Sequence, residues 1–143
     1  MNLINNIAQE LDCGMDCYYN PKTKELISLF GADLLATGDE DYYEEMFKEQ
    51  INRVKAHKKD FIKIEVLESL ESFKIMEKFK DEVPDLQLKE QLGNALADRK
   101  PFQNFKRLVD NSNYREDWFK FKVNEIENRV RKILEVNGVD VIH

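Results

Sequence analysis

The sequence predicts an α+β fold, a small antiparallel sheet of about three strands followed by a mostly helical C-terminal half. Three observations carry this reading. Two short strand-like runs between residues 16 and 30 flank a turn containing Pro21. Residues 61–66 alternate apolar and charged side chains. Beyond Leu67 the apolar residues recur at spacings of three and four, in segments separated by Pro84 and Pro101.

Each element follows from local chemistry. Leu3, Ile4, Ile7, Ala8 and Leu11 share one face of a short helix, with Asn2 as its cap and Asp12 and Gly14 as its stop. Asp16-Cys17-Tyr18-Tyr19-Asn20 is strand-like. In Asn20-Pro21-Lys22-Thr23-Lys24 the fixed φ of Pro21 and the capping amide of Asn20 make a turn, so Leu26-Ile27-Ser28-Leu29-Phe30 completes a hairpin, closed by Gly31. Asp33 to Asp41 stays open between a sheet extension at Leu34-Leu35-Ala36 and a turn at Thr37-Gly38-Asp39. From Asp41 the pattern is helical, with Tyr43, Phe47, Ile51 and Val54 on one stripe, ending at His57-Lys58-Lys59-Asp60. Phe61 to Val66 reads as a third strand that sends Ile62, Ile64 and Val66 one way and Lys63 and Glu65 the other.

The helical half carries three short stripes: Phe73, Met76 and Phe79; Leu88, Leu92 and Leu96; and Phe102, Phe105, Leu108 and Val109. Pro101 suits a first helical position, where its missing N–H costs nothing. The last helix is the longest, with Phe119, Val123, Ile126, Val130 and Ile133 on one seam and Gly138 as its terminator. That seam spans fewer heptads than a coiled coil shows, so packing within the monomer is expected and the oligomeric state stays open.

The chain has 143 residues, 42% hydrophobic and 35% charged, with 22 Lys+Arg against 28 Asp+Glu and a net charge of −6. Its length fits a single compact domain over residues 1–143 that can bury a core without disulfides or a structural metal. Nine Phe, five Tyr and one Trp argue against disorder. No stretch approaches the roughly 18 apolar residues of a membrane span, so no membrane partner is expected. The first residues lack the basic and apolar regions of a secretory signal, which points to a cytoplasmic protein. Cys13 and Cys17 are one residue too far apart for a C-x2-C knuckle, and on one strand they would face the same side as two buried thiols.

No catalytic set assembles from the sequence. His57 and His143 have no H-x-x-H spacing and no neighbouring nucleophile, and His57 suits the negative end of a helix dipole. Asp39-Glu40-Asp41 with Glu44 and Glu45 could hold a hard cation, but it lacks the EF-hand pattern, and acids in a first helical turn already favour the dipole. Neither a metal nor a cofactor is therefore expected. Arg99-Lys100-Pro101-Phe102-Gln103-Asn104-Phe105-Lys106-Arg107 is the opposite case, with four cations around a helix start whose N–H groups favour an anion. Lys120, Lys122, Arg129, Arg131 and Lys132 add charge further on. Tyr18, Tyr19, Tyr114, Trp118, Phe119 and Phe121 fill a core or present an aromatic surface.

The candidate binding residues are therefore Arg99, Lys100, Lys106, Arg107 and Trp118, in a non-catalytic binding or regulatory module that docks a protein or other anionic partner. Nucleic acid is a weaker candidate, because an obligate nucleic-acid binder is usually basic overall. The alternative is a small carboxylate-dependent hydrolase or phosphate-transfer enzyme using Asp12, Asp16 and Glu25, or Asp39, Asp41 and Glu45.

Several runs together resemble one family. These are Leu11-Asp12-x-Gly14 with Tyr18-Tyr19-Asn20-Pro21-x-Thr23-Lys24-Glu25, then Ser72-Phe73-x-x-Met76-Glu77-x-Phe79, then Ala95-Leu96-x-x-Arg99-Lys100-Pro101-Phe102-x-x-Phe105-Lys106, and finally Trp118-Phe119. In this order they resemble the bacterial uncharacterised protein family UPF0158, from which the chain departs in its Lys-rich Asp41 to Lys59 region. The resemblance implies a small cytoplasmic bacterial protein in which Arg99, Phe102, Phe105, Lys106 and Trp118 share a structural neighbourhood. It implies no catalytic residue.

Overall fold

The computed structural model describes residues 2–30 and 47–140. Gly31, the open stretch from Asp33 to Asp41, the start of the following helix with Tyr43, the acidic cluster through Glu45, and His143 lie outside the described residues. The chain groups into two compact units, Met1–Val66 with Ile126–His143 and Leu67–Glu125.

The sheet unit begins with α1 (Leu3–Asp12), whose Asn2 side chain accepts hydrogen bonds from the backbone N–H groups of Ile4 at 3.0 Å and Asn5 at 3.4 Å. The helix buries Ile4, Ile7, Ala8 and Leu11, as the spacing predicts. Gly14, at φ +90°, then reverses the chain in a conformation that favours glycine.

β1 (Met15–Asn20) and β2 (Glu25–Phe30) form the expected antiparallel hairpin, with Asn20 opposite Glu25 and Met15 opposite Phe30. Its turn is built by Asn20, whose buried side chain accepts from the N–H of Lys22 at 2.9 Å and of Thr23 at 3.3 Å. The Asn20 carbonyl accepts from Lys24 N–H at 2.7 Å, with Lys24 itself at φ 64°.

β3 (Ile62–Ile64) pairs antiparallel with β1, giving the order β2-β1-β3. It is shorter than the predicted run from Phe61 to Val66. Ladder pairing ends at Cys17 opposite Ile64, and the Val66 N–H turns instead to the Asp16 carboxylate at 2.8 Å. Phe61, one residue out of step with Ile62 and Ile64, joins Ile27 and Leu29 in a cluster against which Phe47, Ile51 and Val54 pack. The last two lie on α2 (Lys48–Ala56), the described part of the helix expected from Asp41. His57 caps its C-terminal end, 3.9 Å from the Asp60 carboxylate.

The cysteines correct the sequence reading. Cys13 is not on a strand but at the C-cap of α1, where it is exposed, whereas Cys17 is fully buried on β1. Helical hydrogen bonding continues through the Cys13 N–H and places the two residues in different elements. Burial pushes the Cys17 thiol up from 9.0 to about 11, with the Ser28 hydroxyl at 3.8 Å acting in the opposite direction.

The helical unit contains α3 (Ser69–Glu82), α4 (Leu86–Leu96), α5 (Pro101–Asp110) and the first part of α6 (Arg115–Val136). Glu68 N–H donates to Glu71 Oε1 at 3.1 Å ahead of α3. The Asp85 carboxylate caps α4 by accepting from Gln87 and Leu88 at 3.0 and 3.1 Å. Pro101 occupies the start of α5, as predicted.

The core of this unit comprises Phe79, Val83, Leu88, Leu92, Leu96, Phe105, Val109 and Trp118. Trp118 meets Phe105 at 5.0 Å and Phe79 at 5.3 Å between ring centroids, within the range where aromatic pairs contribute about 0.5–1.5 kcal/mol beyond area burial. Two expected core residues are exposed, Phe102 at 37% and Phe119 at 54%, while Phe73, Met76 and Leu108 are half-buried. On α5 the buried side is carried by Phe105 and Val109, one helical turn apart, and Phe102 falls outside it. On α6 the expected seam is buried at Val123, Ile126 and Val130 and continues to Leu134, whereas its first residue, Phe119, is exposed and Ile133 is half-buried.

Gly138, at φ 78°, terminates α6 as expected. Its N–H donates to Glu135 O at 3.0 Å and that of Val139 to Leu134 O at 2.9 Å, the paired bonds of a Schellman motif.

Candidate binding groove

α5 and the first turns of α6 enclose an open groove of about 530 Å³. Lys106 and Asp110 line it from α5, one turn apart, while Arg115, Glu116, Trp118, Phe119 and Lys120 line it from α6. The aromatic core explains why Trp118 stands there: the residue is 8% exposed and its ring is wedged against Phe79 and Phe105, so it is a rigid wall. Phe119, next in sequence, is turned outward by the helical rotation of about 100° per residue.

The electrostatics of the groove are uneven. Arg115 Nε lies 3.5 Å from Asp110 Oδ1, which partly neutralises both. Lys122 Nζ stands 5.7 Å from the Trp118 centroid and 5.8 Å from that of Phe119, within cation–π range of both rings. Among the described residues, neither Lys106 nor Lys120 has an ion-pair partner. Along the groove itself Lys106, Arg115 and Lys120 stand against Asp110 and Glu116.

Of the five predicted binding residues, the structure brings Lys106 and Trp118 together in this groove. Arg99, Lys100 and Arg107 are exposed around the start and flank of α5, and none of them lines it. That start already has a local anion. Asp98 Oδ1 accepts from the Arg99 N–H at 2.7 Å, and Asp98 Oδ2 accepts from Asn104 Nδ2 at 3.4 Å. Arg107 Nη2 in turn donates to Asn104 Oδ1 at 3.4 Å, so Arg107 belongs to this chain of side chains.

Sequence reasoning missed the Asp98–Asn104 contact and the outward Phe119. An acid three residues ahead of a helix-starting proline was the available signal for the first. No signal marked the second, because Phe119 shares the apolar spacing of buried residues.

Of the carboxylates of the alternative enzyme reading, Asp16 and Glu25 each have a partner of their own. Asp16 accepts from Val66 N–H, and Glu25 pairs with Arg53 Nε at 2.7 Å. Asp12 ends α1, and Asp39, Asp41 and Glu45 lie outside the described residues. Among the described residues no three His, Cys, Asp or Glu side chains converge as a metal site would require. No described helix is long and apolar enough to cross a membrane.

Fold and groove together define a small α+β protein with a groove of mixed charge, bordered by Trp118 and Phe119, on its helical unit. The chain belongs to the Uncharacterised protein family (UPF0158), whose family model matches residues 1–143. No curated protein and no solved structure matches it.

Proposed function

We propose that the protein is a non-catalytic binding or regulatory module that docks an anionic or protein partner on the basic face of α5 and α6. One observation carries this reading: Lys106 and Lys120, without ion-pair partners among the described residues, border a groove walled by Trp118 and Phe119. Cations beside the exposed Phe119 side chain supply both encounter and anchoring, since charge steers association and apolar contact retains the partner. Arg99, Lys100 and Arg107 add exposed positive charge around the start and flank of α5, where they act mainly on the association rate. We further propose that the protein is bacterial and cytoplasmic. The bacterial assignment rests on the family resemblance, and a reducing compartment accords with an exposed, unbridged Cys13.

Reversing the charges of Arg99, Lys100, Lys106 and Arg107 together tests the location. All four are exposed, so the far-UV circular dichroism spectrum is expected to stay unchanged while partners recovered in a pull-down are lost. An unchanged set of partners would remove the binding site from this face.

A further inference from the structure

We infer that the groove takes an acidic polypeptide segment bearing an apolar anchor side chain; this rests on the binding reading above and names its partner. Three features favour a polypeptide over a phosphodiester strand. The first is the mixed charge of the walls. Asp110 and Glu116 line the groove with Lys106, Arg115 and Lys120, and a strand charged at every nucleotide would bring phosphates against those carboxylates. A peptide carries discrete charges and can set carboxylates on Lys106 and Lys120 with apolar side chains between them.

The second feature is the state of the rings. Trp118 is only 8% exposed, too little for a base to stack on, and the Lys122 ammonium already stands over both Trp118 and Phe119. The third is Phe119, a large apolar side chain 54% exposed within a volume of about 530 Å³. That volume lies in the range of roughly 300–1,000 Å³ typical of ligand clefts and admits a leucine- or phenylalanine-sized anchor. The recognition mode is an amphipathic segment lying in a groove, with its apolar residues inward and its carboxylates on the flanking lysines.

The chain's one tryptophan, Trp118, stands in the groove wall and serves as an intrinsic reporter. The probes are a synthetic helical peptide of Glu, Ala and Leu with its leucines on one face, the same peptide with Leu replaced by Ala, and oligo(dT). The Glu/Leu peptide is expected to shift Trp118 emission and to bind with Kd in the range of about 10–100 μM at moderate salt. Loss of the leucines, the Phe119→Ser variant, and the Lys106→Glu/Lys120→Glu variant are each expected to weaken binding about tenfold or more. Circular dichroism checks that these variants keep their helices.

Oligo(dT) binding as tight as the peptide, and lost in the same lysine reversal, would overturn the polypeptide assignment while leaving the basic face as a binding site. Binding that survives removal of the leucines would overturn the apolar anchor. Failure of both probes to bind would overturn the inference, and the pull-down with the four-residue charge reversal would then decide separately whether this face captures any partner.

Discussion

The two units use their polar side chains differently. In the sheet unit many of the polar contacts are internal. Glu25 pairs with Arg53, Asp16 holds the Val66 N–H, Arg129 Nη1 donates to Glu65 O at 2.9 Å, and Asn5 Nδ2 donates to Glu127 Oε2 at 3.2 Å. In the helical unit Lys78 pairs with Glu125, Lys80 with Asp81 and Arg115 with Asp110 around a core centred on Phe79, Phe105 and Trp118, while Lys106 and Lys120 stand over a groove without ion-pair partners among the described residues. Net charge follows the same division. Residues 1–66 with 126–143 hold 16 acids and 11 Lys+Arg, whereas residues 67–125 hold 12 and 11. The acidic excess of the chain thus lies almost wholly outside the unit that carries the groove, and a bulk charge of −6 is a poor guide to which surface attracts an anion.

The comparison is broken most severely at the centre of the aromatic core. Phe105 is 0% exposed and touches both Phe79 and Trp118, so Phe105→Ala is expected to cost about 3–5 kcal/mol, read by urea unfolding followed through Trp118 fluorescence. A loss below about 1 kcal/mol would mean that the rings do not form the rigid wall the groove requires.

In the sheet unit the corresponding weak point is polar. Asn20→Ala removes a buried acceptor of two backbone N–H groups and is expected to cost about 1–3 kcal/mol, measured by the same unfolding curves and by faster amide exchange at Lys22 and Thr23.

The buried thiol sharpens the contrast through pH. Cys17 ionises near pH 11 in the fold against 9.0 ordinarily, so above pH 9 the folded chain holds that proton more tightly than the unfolded one. Its contribution to stability is intact below pH 9 and is lost as the pH rises towards about 11. Cys17→Ala is expected to flatten the stability profile in that interval. At neutral pH a thiol reagent should modify exposed Cys13 in the native protein and reach Cys17 only after unfolding. The smallest effect belongs to the exposed Glu25–Arg53 pair, where Glu25→Gln is expected to cost about 1 kcal/mol or less in the unfolding midpoint.

Local features were legible because their causes are local. Asn2 and Asp85 show how an oxygen beside a helix start satisfies backbone N–H groups that have no helical partner, and Asn20 does the same for a turn. The hairpin, the third strand and the helical half followed from periodicity for the same reason. The groove was only partly legible. Lys106 and Trp118 stood out as a cation and an aromatic, but eleven residues separate them in sequence and only the packing of α5 and α6 makes them neighbours.

Periodicity, capping groups, prolines and glycines determined the α+β class, the order of elements and most of their ends, because each acts over a few residues of chain. Tertiary structure decided which equally apolar residues are covered: Phe105 but not Phe102, Trp118 but not Phe119, Cys17 but not Cys13. It also decided that Lys106 faces a groove while Arg107 joins Asn104 and Asp98. The physical reason is common to all of these cases, since burial and pairing depend on which surfaces the fold brings into contact, and residues with the same local pattern meet different neighbours.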